Sequence, residues 1–172
     1  MRFAKAFLVG VTGLFIFITL LSLLITSRPK VSRTVFVNTG SKEKLMAQVG
    51  DFANWKNWHP VFKPGSAKVS FGKTTAGVGG NCEIVYNNKA TKLAITKVDS
   101  NAISFNIKQD GENDISNQIF ITSMQQTRVD WVATTHLHWY PWEKFYAIFI
   151  DKLTGPGYET ALNGLKQFAE SH

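Results

Sequence analysis

The sequence predicts an α+β domain in which a curved antiparallel sheet grips a long C-terminal helix, preceded by one apolar N-terminal helix. Three observations lead there. An uncharged stretch opens the chain. A series of short β-rich segments, separated by turn residues, fills the middle. Two amphipathic helical patterns close it.

The chain has 172 residues, 44% of them hydrophobic and 18% charged, which is enough for one domain with its own core and one extra element. Thirteen Phe and five Trp point to large apolar walls. The formal charge of +7 comes from 19 basic and 12 acidic residues, and the cations are scattered. Nucleic-acid binding, which needs a basic patch or stripe, is therefore not expected. Attraction to anionic lipid head groups fits this charge better. The single Cys82 rules out an internal disulfide, and its expected role is a small buried hydrophobe.

The first element is AFLVGVTGLFIFITLLSLLITS, from Ala6 to Ser27, without a charge. It exceeds the roughly 20 residues that cross a hydrocarbon core. A secretory signal has a shorter apolar region and ends at a small-x-small site, whereas this run ends at Ile25, Thr26, Ser27 and then Arg28-Pro29. The expectation is an uncleaved single-pass anchor over residues 1–27, a linker over 28–30 and a domain over 31–172. Arg2 and Lys5 before the span nearly balance Arg28, Lys30 and Arg33 after it. The very short N-terminal tail tips the expectation toward a non-cytoplasmic domain.

VSRTVFVNT, residues 31–39, reads as a strand, with a turn at Thr39-Gly40-Ser41. SKEKLMAQVGDFANWKNW, residues 41–58, reads as one or two short helices with Ser41 as N-cap, stopped by Pro60, Pro64 and Gly65. Strands are expected near 67–72, 79–87, 90–99, 102–109, 114–124 and 127–139. The turns between them fall in the glycine-rich 72–80, at Asn87-Asn88, at Ser100-Asn101, from Gln109 to Asn113 and at Gln125-Gln126. Such short connections imply an antiparallel meander. Trp142, Phe145, Tyr146, Phe149 and Leu153 then share one helical face, and so do Tyr158, Ala161, Leu162, Leu165, Phe168 and Ala169. Pro156 is expected to kink or split this helix. Sheet and helix must each bury an apolar face, and a sheet curled round the helix does both.

This order resembles the START-like, or SRPBCC, superfamily with its helix-grip (Bet v 1-like) fold. Three stretches carry the resemblance: VSRTVFVNTGSKEKLMAQVGDFANWKNWHP, HLHWYPWEKF and GPGYETALNGLKQFAE, the last similar to membrane-anchored bacterial members. It covers residues 31 to 172. The superfamily includes polyketide cyclases, lipid-transfer domains and chaperone co-activators, so the resemblance implies a fold and leaves the substrate open.

HLHWYPWEKF places two histidines together. Along 128–139 the odd positions, Val129 to Trp139, are mostly apolar and are expected to face the helix. The even positions include Arg128, Asp130, His136 and His138 and are expected to face solvent. A metal site wants about three ligands, and Asp130 lies roughly 20 Å from His136 along an extended strand, so no metal is expected. The aromatic wall is drawn from Trp55, Trp58, Tyr86, Phe105, Trp131, Trp139, Trp142, Phe145, Tyr146 and Phe149. Whether that wall encloses a ligand or fills a core stays open at this point. Asp51-Phe52 and the stretch Trp55 to Pro60 resemble the family's cavity entrance, with His59 as a general base beside it as the functional alternative. Trp55 and Trp58 are expected to pack the short helices onto the sheet, and His59 to act as a surface or capping residue. GKTTAGVGG, 72–80, lacks phosphate-loop spacing and reads as a mobile hairpin loop, with a flap over the cavity as the functional alternative. Among the strand residues Glu83, Tyr86, Asn106, Asn117 and Gln118, one pointing inward would orient a ligand.

No Ser-His-Asp, Cys-His or paired-carboxylate set stands out, so no catalytic residue and no cofactor is expected. The expected function is a membrane-tethered binding module for a hydrophobic small molecule or lipid. The alternatives are a regulatory, protein-interaction domain of the same fold and a cyclase- or aromatase-type enzyme.

Overall fold

A computed structural model describes residues 2–38, 41–123 and 125–171. The chain runs through helix α1 (Arg2–Ser22), strand β1 (Lys30–Val37), helix α2 (Lys42–Val49) and two 3-10 turns (Phe52–Asn57 and Pro60–Phe62). The meander follows: β2 (Lys68–Phe71), β3 (Asn81–Tyr86), β4 (Lys89–Val98), β5 (Ala102–Gln109), β6 (Ile115–Ser123) and β7 (Thr127–Thr135). Helices α3 (Pro141–Ala147) and α4 (Ile150–Ser171) end the chain.

The strands form one antiparallel sheet in the order β1-β7-β6-β5-β4-β3-β2. Each meander strand pairs with its predecessor, and β1 closes onto β7 from Lys30↔Thr134 to Val37↔Thr127. This is the predicted α+β helix-grip fold. Asn87 and Asn88 both take positive φ, +48° and +61°, as a two-residue primed turn requires, and asparagine tolerates that region well. The register of β4 on β5 shifts between Ile95 and Lys97, and such a bulge bends its strand. The expected turn at Thr39–Gly40 lies outside the described residues.

The inner face carries Val35 and Val37 of β1, Cys82 and Ile84 of β3, Leu93 and Ile95 of β4, Ile103 and Phe105 of β5, Ile119 and Ile121 of β6, and Val129 and Trp131 of β7, all buried. Helix α4 answers with Ala161, Leu162 and Leu165. Ser41 caps α2 as predicted, its side chain accepting from the Lys44 N–H at 3.2 Å. Asp51 does the same for the first 3-10 turn through Ala53 N–H at 2.9 Å. Gly164 lets α4 touch that turn: a β-carbon there would run into the Trp58 carbonyl oxygen.

Two expectations need correcting. The helical break falls at Ile148–Phe149, not at Pro156, which sits inside α4. There the N–H groups of Ile148 and Phe149 reach back three residues, to Phe145 and Tyr146, tightening the turn. The glycine-rich 72–80 segment is not a loose hairpin. Phe52 N–H donates to Thr75 carbonyl at 3.0 Å, Gly79 N–H to Ile95 carbonyl at 2.9 Å and Ile95 N–H to Gly80 carbonyl at 2.8 Å. These bonds tie it to the 3-10 turn and to β4.

Helix α1 is long and apolar enough, over Phe3–Ser22, to cross a membrane. Most of that apolar stretch is exposed, the buried residue being Ser22 at its end. Its shielded positions are Ile18, Thr19 and Ser22, in the last turns, and α3 is the helix it packs against. Leu137 N–H donates to Ser27 carbonyl at 3.0 Å, and Thr135 N–H to Pro29 carbonyl at 3.1 Å, so the strand pairing continues almost back to α1.

Candidate functional site at the open edge of the grip

The interior has two unlike halves. Under α4 it is filled by aromatic rings. Trp55 packs edge-on against Phe52 (5.0 Å), Phe105 (5.3 Å) and Trp131 (5.8 Å), and lies 5.0 Å from Trp58. Tyr158 of α4 covers Trp131 at 5.1 Å. The polar edges of these rings are satisfied. Trp55 Nε1 donates to Val49 carbonyl at 3.0 Å, Trp58 Nε1 to Gln48 carbonyl at 3.3 Å, and Trp131 Nε1 to Asn117 Oδ1 at 3.0 Å. A buried indole N–H without an acceptor would cost about 1–3 kcal/mol, so each of these acceptors matters to the core.

The other half opens. Between the 60–66 segment and the ends of β3, β4 and β5 lies a cavity of about 810 Å³. It is lined by Pro60, Val61, Ser66, Ile84, Tyr86, Asn87, Lys89, Thr91 and Gln109. It is an open groove and not an enclosed pocket: Val61, Ser66, Tyr86, Asn87 and Lys89 of its lining are exposed. Thr91 Oγ1 donates to Gln109 Oε1 at 2.8 Å across two strands, and Lys89 is paired with Glu112 at 3.0 Å. Among the described residues the lining holds no carboxylate, imidazole or thiol. The arrangement can therefore hold an apolar molecule and give it a few hydrogen bonds. Its titratable groups are the Tyr86 phenol and the Lys89 ammonium, which sit opposite each other across β3 and β4.

The position of this mouth follows from the register. Tyr86 faces Lys89, Thr91 faces Gln109, Ile107 faces Ile115, Ile115 faces Thr135, and Thr134 faces Lys30. The mouth and the start of β1 thus lie at the same end of the sheet. The chain arrives at that end from α1.

The ten residues of the expected wall fall in three places. Trp55, Trp58, Phe105 and Trp131 lie in the filled half. Tyr86 lies at the mouth. Trp139, Trp142, Tyr146 and Phe149 are 72%, 63%, 47% and 56% exposed on the outside of the molecule, with Phe145 half-buried beside them. The stripe they form is not buried, contrary to expectation. The side of α3 and early α4 that turns inward is Pro141, Lys144, Ala147 and Ile150 instead. The parity reading of β7 holds for Val129 to Leu137 and fails at Trp139, because the strand ends at Thr135.

The even face looks outward, as predicted. His136 Nε2 lies 2.9 Å from Ser116 Oγ, beside a polar groove with Arg28, Lys30, Asn106 and Gln118. His138 Nδ1 lies 3.2 Å from the Glu143 carboxylate, which also accepts from the His138 N–H at 2.8 Å. Among the described residues no three His, Cys, Asp or Glu side chains gather as a metal site would require. Of the strand polars, Asn117 is the buried one, and its carbonyl oxygen is used by Trp131. Cys82 is buried, and desolvation pushes its thiol up to about 12.

His59 caps the second 3-10 turn, Nδ1 accepting from Val61 N–H at 3.3 Å. Its ring stacks on Trp55 at 5.2 Å and is largely shielded, and burial pushes its pKa down to about 4. Burial likewise pushes the Tyr158 phenol up to about 12. Both groups are uncharged at neutral pH, which keeps the aromatic half apolar. Pro60 lies on the rim, at the end of the 55–60 stretch that resembles a cavity entrance, whereas nothing in the sequence marked Val61 or Ser66.

No family model matches the sequence, and no curated protein matches it. Solved structures do match the fold. A hypothetical protein of Helicobacter pylori superposes with a TM-score of 0.64 at 10% identity, covering 81% of this chain and 87% of that one. A protein of Nitrosospira multiformis gives 0.62 at 15% identity, covering 82% and 96%. A protein of the dynemicin biosynthetic locus gives 0.59 at 12% identity, covering 83% of this chain and 48% of that one. At these identities the likeness is one of fold.

Proposed function

We propose that this chain is a membrane-tethered binding module, with α1 as its anchor, that holds a hydrophobic small molecule or lipid against the sheet, under the 60–66 segment and not under α4, where aromatic rings fill the expected place. The observation that carries the reading is the open cavity of about 810 Å³ between the 60–66 segment and β3–β5, at the end of the sheet where the chain arrives from α1. Its apolar floor with a few neutral hydrogen-bonding groups suits an uncharged or amphipathic ligand. The resemblance to the START-like superfamily, which includes lipid-transfer domains, is compatible with this reading, and the lining has no carboxylate or imidazole.

A regulatory, protein-binding domain of this fold is the second reading. The filled aromatic half and the exposed apolar stripe of α3 favour it.

The test is native mass spectrometry of the full-length protein released from detergent micelles, followed by extraction of whatever travels with it. A near-stoichiometric apolar adduct is expected in the wild type. Thr91→Trp, which places an indole in the cavity, is expected to lose it while keeping the fold. A bare protein mass, with no thermal stabilisation by any member of a lipid panel, would overturn the reading.

A further inference from the structure

Helix α3 is built inside out for a water-soluble surface helix. Its inward positions are Pro141, Lys144 and Ala147, and the lysine there is buried. Its outward positions carry Trp142 and Tyr146, and the same surface continues through Ile148, Phe149 and Leu153, all exposed, and back to Trp139. Tyr140 stacks on Trp142 at 4.9 Å with the rings nearly parallel, so the aromatic surface is ordered on the outside. A soluble face of this composition would be a large unpaid exposure of apolar area, whereas Trp and Tyr are the residues favoured where a bilayer meets water.

The place of α3 in the fold says what covers that surface. α3 is the helix α1 packs against, and the shielded positions of α1 are Ile18, Thr19 and Ser22. Phe3–Ser22 has 20 residues, about 30 Å of helix at roughly 1.5 Å per residue, which matches one hydrocarbon core. Ser22 then stands at one boundary of that core, and the shielded positions Ile18 and Thr19 lie within about 6 Å of it along the helix. The exposed Leu23 and Leu24 prolong the apolar surface of α1 at the same level. Arg28 and Lys30 follow at once, as cations for the head-group layer.

We infer that the outward face of α3 and early α4, made of Trp139, Trp142, Tyr146, Ile148, Phe149 and Leu153, is a membrane-docking surface seated in the interfacial layer of the bilayer that α1 crosses. The inference rests on α1 being a membrane span. Docking there fixes the domain against the lipid instead of leaving it on a free tether. It also turns toward the lipid the end of the sheet from which α3 departs, the end at which the cavity mouth lies.

The test uses the full chain in vesicles of phosphatidylcholine and phosphatidylglycerol. Part of the phosphatidylcholine is brominated either high on the acyl chain or near its end, and tryptophan fluorescence is read. Trp55, Trp58 and Trp131 are buried in the domain, so lipid quenching reports Trp139 and Trp142. High-chain bromine is expected to quench more than chain-end bromine, and W139F/W142F to reduce that quenching about threefold or more. Alkaline carbonate extraction of the same vesicles tests the anchor separately. Protein that resists carbonate while its tryptophans are quenched by aqueous iodide and not by bromolipid would keep the anchor and overturn the docking. Tryptophans shielded from both quenchers, with a cross-linked dimer or a bound protein partner, would overturn it in favour of a protein interface. Release by carbonate would remove the anchor and this inference together.

Discussion

The molecule holds two aromatic clusters of nearly the same make-up with opposite fates. Trp55, Trp58, Phe105 and Trp131 are almost wholly buried between sheet and α4, and each indole N–H among them has an acceptor. Trp139, Trp142, Tyr146 and Phe149 stand on the outside, around α3. Residue type does not separate the two. What separates them is which other apolar surface each can reach. The first cluster has a curved sheet on one side and α4 on the other. The second departs from the end of β7 after the strand pairing stops, and packs chiefly against α1 and α4.

Truncation should expose this difference most sharply. Trp131→Ala removes a ring that touches Trp55, Phe105 and Tyr158, and strands Asn117 Oδ1. Denaturant titration of the full-length protein should show a loss of about 3–5 kcal/mol. A loss below about 1 kcal/mol would mean the aromatic half is loosely packed, and the contrast with the outer cluster would collapse.

The protonation of His59 probes the same buried half. Its pKa is lowered from 6.5 to about 4 in the folded chain. The unfolded chain therefore binds more protons between these values, and stability present above about pH 6.5 is lost as pH falls toward 4. The expected loss is about 2–3 kcal/mol across that window. In His59→Phe this component of the pH slope should vanish. An unchanged slope would place the titrating group elsewhere.

The contact of α4 with the short turns gives a sign test. Alanine normally stabilises a helix by about 1 kcal/mol over glycine. Gly157 has open space around it and should follow that rule. At Gly164 the added carbon meets the Trp58 carbonyl, a backbone atom with no freedom to retreat, and Gly164→Ala should destabilise by about 1–3 kcal/mol. Opposite signs at two glycines of one helix would sharpen the boundary of the buried half, and equal signs would blur it.

The smallest stability effect belongs to the outer cluster. Trp142→Ala should change unfolding free energy by no more than about 0.5 kcal/mol in detergent. A large loss would make Trp142 part of the core after all.

Much of the architecture was legible because local chemistry and tertiary structure agree. Asn87-Asn88 forms the hairpin its residue types favour, and Ser41 and Asp51 cap where an oxygen side chain precedes a helical turn. The alternation from Val129 to Leu137 reports a half-buried strand directly. The candidate cavity was much less legible. Its rim joins Pro60 and Val61 to Thr91 and Gln109, residues distant in the chain and unremarkable in type. Only Tyr86 of the expected wall sits there.

By itself, then, the sequence determined the element order, the pairing of successive strands in the meander, the apolar span and the existence of two amphipathic stripes near the C-terminus. These depend on periodicity and turn chemistry, which act between near neighbours. Tertiary structure alone decided that the later stripe, on α4, faces the sheet while the earlier one, on α3, faces away from it. It also decided that part of the grip is filled and part is open. Periodicity reports that a face is apolar. What covers that face depends on the curvature of the sheet and on where the chain turns away from it, which no short window of sequence contains.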